Sequence, residues 1–246
     1  MTSSDFAAVA PVAPKKPIVR ELWGERAIDD YAWLTDKDSD EVRALLEAEN
    51  AHTTAMLADT VELQETLFLE LKSRVKETDL SVPVEKDGWL YYSRTTEGTS
   101  YGAHYRRRVG SDIECLILDE NAEAEGTDYF EVGVFEMSLD HKRLLWAVDT
   151  DGDERYELRI REFADDDSFR DLDDVIDDVA YGSAWAADNA TFFYTKADDA
   201  HRQHQVWRHV DGTDQANDVL VFEEPDARFN VGVGRDKDDH YIQIQR

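Results

Sequence analysis

Apolar positions along this chain keep two different rhythms. From Ser39 to about Val75 they recur at helical spacing, first as a mixed face (Val42, Leu45, Leu46), then as a stripe of Leu63, Leu67, Phe68, Leu71 and Val75. Ser39 or Asp40 stands where a helix cap is wanted. A stripe of this kind is core or docking face far more often than a cofactor site, and this one predicts a docking face. After Leu80 the rhythm shortens to apolar runs broken by Asp, Gly and Asn. Seven of them predict strands: Trp89–Tyr92, Ala103–Arg106, Leu116–Leu118, Leu144–Ala147, Tyr156–Ile160, Phe192–Tyr194 and Gln205–Trp207. The expected fold class is mainly β with an N-terminal α-helical segment.

The β region repeats itself. Ser138-Leu139-Asp140 leads into Leu144-Leu145-Trp146, Ala186-Ala187-Asp188 into Phe192-Phe193-Tyr194, and Gly234-Arg235-Asp236 into the last apolar run; aspartates 140, 188 and 236 are spaced evenly at 48 residues. Asp87-Gly88-Trp89 is a looser copy. A period of this length with several strands per unit predicts a β-propeller, because one four-stranded blade cannot bury both faces alone and stacking supplies the missing partners. About three and a half blades of a presumed seven fit, so a partial β-propeller is expected over residues 80–246. It follows a helical segment over 18–79 and a flexible leader over 1–17. Seven blades need roughly 300 residues or more, and open blade edges favour association. The chain is therefore expected to be a fragment, marginal alone.

Composition narrows the chemistry. Lys plus Arg number 27 against 56 Asp plus Glu, for a net charge of -29. That field repels nucleic acid and anionic membranes and suits basic peptides or polyamines. Six Trp, ten Tyr and ten Phe argue for a packed core. The single cysteine, Cys115, lies in an apolar run and is expected to pack as a small hydrophobe. The N-terminus has no basic n-region or unbroken apolar stretch, and no segment is apolar enough to span a bilayer, so a cytoplasmic location is expected.

Several short motifs resemble one family. Asp29-Asp30-Tyr31-Ala32-Trp33-Leu34 resembles the Asp-x-Tyr-x-Trp-Leu signature near the start of prolyl oligopeptidases, and Glu47-Ala48-Glu49-Asn50 resembles their Glu-x-Glu-Asn element. Leu118–Asn121 with Ala124–Phe130, and the Asp149–Leu158 hairpin, are similar to blade segments of the oligopeptidase B branch. The resemblance implies a seven-bladed propeller capping an α/β-hydrolase peptidase domain onto which the N-terminal helices pack. It also implies cleavage of short peptides, after Arg or Lys in the oligopeptidase B branch. The residues selecting the basic side chain would lie in that peptidase domain, beyond this sequence. The alternative is a free-standing acidic propeller module for basic peptides or polyamines.

Candidate catalytic groups are few. Gly98-Thr99-Ser100-Tyr101-Gly102 matches the nucleophile-elbow pattern, which has meaning only between a strand and a helix. Strands are expected on both sides of it, so Ser100 reads as a hairpin residue. His201, His204 and His209 cluster in sequence without a third ligand at a recognised spacing, and they read as solvated turn residues. Asp149–Glu154 has its glycine fourth rather than sixth, which favours an acidic hairpin tip over a calcium loop. In Arg106-Arg107-Arg108 the middle residue should face away from its neighbours, so the run is no single basic patch, and its expected role is pairing with the abundant carboxylates. No catalytic, cofactor-binding or metal-binding residue is expected within this chain.

Overall fold

The computed structural model of the protein describes residues 9–246; residues 1–8 of the expected leader lie outside them. The chain divides after Lys76 into two units. In the first, β1 (Ile18–Leu22) and β2 (Glu25–Asp29) form an antiparallel hairpin that the sequence reading lacks. Trp23 and Gly24 turn it with φ of 52° and 85°. The Trp33 indole N–H donates to Pro14 O at 3.0 Å, and the Lys16 ammonium lies 4.6 Å over the Trp33 ring.

Two helices follow, α1 (Asp40–Met56) and α2 (Val61–Ser73), separated by a short 3-10 turn. Ser39 occupies the N-cap without a side-chain bond. Leu63, Leu67, Phe68 and Leu71 lie on α2 and are exposed, and Val75 lies past its end. Among the described residues of this unit, Val42 is the one hydrophobic side chain that is buried.

The second unit is a row of antiparallel meanders. The first sheet is β3 (Val84–Lys86), β4 (Trp89–Arg94), β5 (Ala103–Arg108) and β6 (Cys115–Asp119). The second is β7 (Glu131–Met137), β8 (Arg143–Asp149), β9 (Tyr156–Phe163) and β10 (Phe169–Val179). The third is β11 (Ser183–Trp185), β12 (Thr191–Ala197), β13 (Gln203–Val210) and β14 (Val219–Glu223). A half-sheet of β15 (Gly232–Arg235) and β16 (Ile242–Gln245) completes three and a half blades, and the seven expected strands all form.

Strand alternation shows why the sheets stack. On β8, Leu144, Trp146 and Val148 enter a core with Cys115, Ile117 and Leu118 of the first sheet. Leu145 and Ala147 point the other way, into a core with Trp185, Phe192 and Tyr194 of the third. A strand buried on both faces reads as a continuous apolar run. Gly133 on β7 is required by the same packing, since a Cβ there would sit 2.4 Å from the Tyr156 ring.

The repeat is real, but its third copy is shifted. Equivalent turns are closed by Ser138 N to Arg143 O, Ala186 N to Thr191 O and Asp236 N to Tyr241 O. His141, Asn189 and Asp239 take the fourth position of each, all at positive φ. Asp236 therefore corresponds to Ser138, and Asp238 is the counterpart of Asp140 and Asp188. Asp87 belongs to a different device, a two-residue turn with Gly88 that closes the Lys86–Trp89 pair.

Candidate functional site at the axial mouth

The first strands of the sheets, β3, β7, β11 and β15, contribute to one open cavity of about 680 Å³. Its wall is charged. Lys86 Nζ is 3.0 Å from Asp239 Oδ2, Arg235 Nη2 donates to Glu136 Oε1 at 2.7 Å, and Arg235 Nε lies 3.4 Å from Asp239 Oδ1. Glu136 is held from two sides, because the Trp185 indole N–H donates to its carbonyl at 3.0 Å. Burial pushes the Glu136 carboxyl above its ordinary value, with the Arg235 guanidinium working against it.

A recess of about 200 Å³ shares Lys86, Glu136 and Arg235 and adds Tyr91, Phe135, Met137 and His141. Burial pushes the His141 pKa down, and a neutral ring suits its surroundings: the Tyr91 hydroxyl donates to Nδ1 at 2.6 Å, and Nε2 lies 3.4 Å from Asp87. These ion pairs join the first, second and fourth sheets across the mouth. They can screen charged molecules there, but they include no nucleophile with a base beside it.

None of Lys86, Glu136, Arg235 and Asp239 was marked by the sequence reading. With the corrected register, Arg235 occupies the position that Met137 and Trp185 hold before their turns. An arginine where the repeat places apolar residues was the available signal, and the two-residue shift concealed it.

Elsewhere the candidates are dispersed. Ser100 lies exposed in the loop between β4 and β5, which pair antiparallel, so strand follows loop where an elbow needs a helix. His104, on β5, holds Glu120 through Nε2 at 2.6 Å. The Asp149 carboxylate is buried and accepts from the backbone N–H groups of Asp151, Gly152 and Glu154, so the acidic tip is a saturated turn. Among the described residues no three His, Cys, Asp or Glu side chains are grouped to hold a metal. No helix among the described residues is long and apolar enough to cross a membrane.

His201 is an exposed turn residue and His204 is half-buried, but His209 departs from the expectation of a solvated histidine. Its ring is fully buried on β13, with carboxylates on both nitrogens. The reason is the inter-sheet packing, which turns this face of β13 toward Phe192 and the second sheet.

Arginines stitch the seams. Arg106 is buried against the rings of Trp89 and Phe163, and it donates to His141 O and to Asp167 (3.1 Å) of the second sheet. Arg107 faces away, onto Ser111 O, as alternation predicts. Arg161 reaches back to Ile117 O and Glu123, and Arg143 reaches forward to Asn189 O and Asp211. The acidic outer strand β10 is engaged in the same way: Asp171 holds Arg161, Asp174 meets His209 and Asp178 holds Arg155. It is an edge strand blunted by charge rather than an open cation-binding face. Cys115 is buried in the first seam, and burial pushes its thiol pKa up.

Residues 11–246 match the family described as prolyl oligopeptidase, N-terminal beta-propeller domain. The chain belongs to the prolyl oligopeptidase family. It is 34% identical to dipeptidyl aminopeptidase BI of Pseudoxanthomonas mexicana, an alignment covering 99% of this chain and 36% of that protein. It is 33% identical to protease 2 of Moraxella lacunata, covering 95% and 35%. Oligopeptidase B from Leishmania major superposes with a TM-score of 0.86 at 27% identity, covering 96% of this chain and 36% of that one. The chain thus spans about a third of the length of these relatives. The fold is the family's N-terminal propeller portion, which in the full enzymes accompanies a peptidase domain.

Proposed function

We propose that this chain is the N-terminal helical and propeller portion of an oligopeptidase B-like serine peptidase of the cytoplasm. The complete enzyme hydrolyses short peptides after Arg or Lys, and this portion alone turns over nothing. The carrying observation is the family match over residues 11–246 in a chain spanning a third of its relatives' length. The net charge of -29 favours basic peptides. The exposed stripe of α2 has the character of a face that the peptidase domain covers. The relatives' names differ, a dipeptidyl aminopeptidase beside an oligopeptidase B, so preference after Arg or Lys is the part to test hardest.

The test is hydrolysis of a fluorogenic Arg-Arg peptide by the purified chain, with Ser100→Ala as control. No turnover is expected from either. Turnover abolished by the substitution would make the Gly98–Gly102 loop a catalytic element and overturn the reading. With the complete enzyme, kcat/KM should favour Arg over Pro before the cleaved bond by about a hundredfold or more. Equal values would remove the basic-residue preference.

A further inference from the structure

The recess of about 200 Å³ holds donors that nothing in the fold takes up. Its wall includes His141 and Arg235, whose side chains are 9% and 10% exposed. His141 Nε2 and Arg235 Nη1 are buried and have no hydrogen-bond partner among the described residues. Buried polar groups are ordinarily paired, so a leftover donor is a cost that a guest can remove. A guanidinium has donors only. The Tyr91 hydroxyl donates to His141 Nδ1, which leaves the proton of the neutral ring on Nε2. Asp87 Oδ2, at 3.4 Å, is too far to serve that nitrogen well.

Charge decides what kind of acceptor fits. Arg235 already faces Glu136 at 2.7 Å and Asp239 at 3.4 Å, and Lys86 shares Asp239 at 3.0 Å. An added anion would meet cations already neutralised, in a chain of net charge -29. An added cation would meet carboxylates already engaged and two donors. An uncharged acceptor meets neither objection. The remaining wall is apolar: Phe135, Met137 and the Tyr91 ring are partly buried against the core of the first seam. At roughly 30 Å³ per water the recess has room for about seven waters, so the guest is small.

We propose that this recess is a binding site for a small uncharged carboxamide with an apolar body. The carbonyl oxygen takes up the donors that His141 and Arg235 leave over, and the body lies against Phe135 and Met137. A carbonyl oxygen has two lone pairs, enough for both donors. The site needs only the first two sheets and the half-sheet, and it stands whether or not the peptidase reading does.

The test is saturation-transfer NMR titration of the purified chain with three related probes: N-acetyl-leucinamide, the acid N-acetyl-leucine and the cation leucinamide. The uncharged amide should bind, and each charged analogue should bind about tenfold more weakly or worse. Met137→Trp, which fills the recess, and His141→Phe, which removes the Nε2 donor, should each weaken the amide about tenfold. Isovaleramide separates two sources of the same chemistry. Binding equal to that of N-acetyl-leucinamide assigns a simple amide, and binding about tenfold weaker assigns a peptide group. Equal binding of amide and acid would overturn the proposal, and this comparison needs no variant to fold. Undiminished binding in a folded Met137→Trp, or no saturation of either amide because water alone fills the recess, would overturn it too.

Discussion

Replacing Arg161 with methionine tests whether buried arginines hold the sheets together. The guanidinium is 2% exposed and makes four bonds. Nε and Nη2 grip Asp171 at 2.7 and 2.8 Å, Nη2 also reaches Glu123 at 2.7 Å, and Nη1 donates to Ile117 O at 3.2 Å. Burial works against the charge, but the two carboxylates outweigh it and hold the Arg161 pKa above its ordinary value. Breaking a buried pair by removing one partner costs about 3–5 kcal/mol, because the other partner is left without compensation. Here Asp171 is 43% exposed and Glu123 24%, so both can rehydrate, and the Ile117 carbonyl bears most of the loss. Methionine keeps much of the stem's volume while removing the guanidinium that lies 4.2 Å over the Phe169 ring. The lower end applies, about 3 kcal/mol, a large share of the roughly 5–15 kcal/mol that stabilises a domain.

The comparison is Arg170→Met. Arg170 pairs with Glu162 at 2.6 Å but is 73% exposed, and such pairs contribute about 0.2–1 kcal/mol. Urea unfolding followed by far-UV circular dichroism separates the two. With a slope near 2 kcal/mol per molar, Arg161→Met should lower the midpoint by about 1.5 M and Arg170→Met by less than about 0.5 M, with slopes unchanged. Equal shifts would mean that burial and the inter-sheet contacts add nothing, and the account of the seams would fail.

Two further outcomes follow from local geometry. Gly133→Ala drives a methyl group to within 2.4–2.7 Å of three Tyr156 ring atoms and should cost about 1–3 kcal/mol by thermal melting, whereas Gly232→Ala meets nothing within 4 Å and should be close to neutral. The Asp188 carboxyl is held below its ordinary pKa by the backbone N–H groups of Ala190 and Thr191. Its contribution is therefore present above the ordinary carboxylate range and lost as pH falls through the lowered value, so Asp188→Asn should flatten the acid limb of a stability–pH profile.

Of the seven strands legible in the sequence six are middle strands of their sheets, and the seventh, β6, is an edge strand whose apolar run packs in the first seam. A middle strand packs on both faces, as Leu144 to Val148 do, and has a hydrophobic signature to match. Other rims were hidden for physical reasons. β10 carries Asp171, Asp173, Asp174, Asp177 and Asp178, a composition that propensity assigns to a loop, yet a sheet edge tolerates and even favours charge. β11 and β15 are too short to show a period, and β7 is interrupted by the glycine that Tyr156 demands. The hairpin of β1 and β2 exposes nearly every side chain, so no face of it stands out. The axial charges were lost with the register of the last repeat, and His209 was lost because its partners are distant in sequence.

The strong acidity reflects how the chain distributes its charges. Arg106, Arg143, Arg161, Arg202 and Arg235 are all partly or fully buried, and each closes contacts between sheets or their connecting loops. Their carboxylate partners are generally the more exposed members, as Asp167 at 37% against Arg106 at 3% illustrates. At these seams the guanidinium groups sit inside and most of their carboxylate partners outside, which adds to the negative surface that 27 bases against 56 acids already imply. The arrangement has a physical logic: guanidinium is the more weakly hydrated ion and presents several donors in a fixed fork, whereas an exposed carboxylate keeps its water. A stack of blades with few loops between sheets needs such bridges where carbonyls such as Ile117 O and Asn189 O meet the next blade. The acid surplus is thus, in part, the outer side of the same bonds that hold the propeller together.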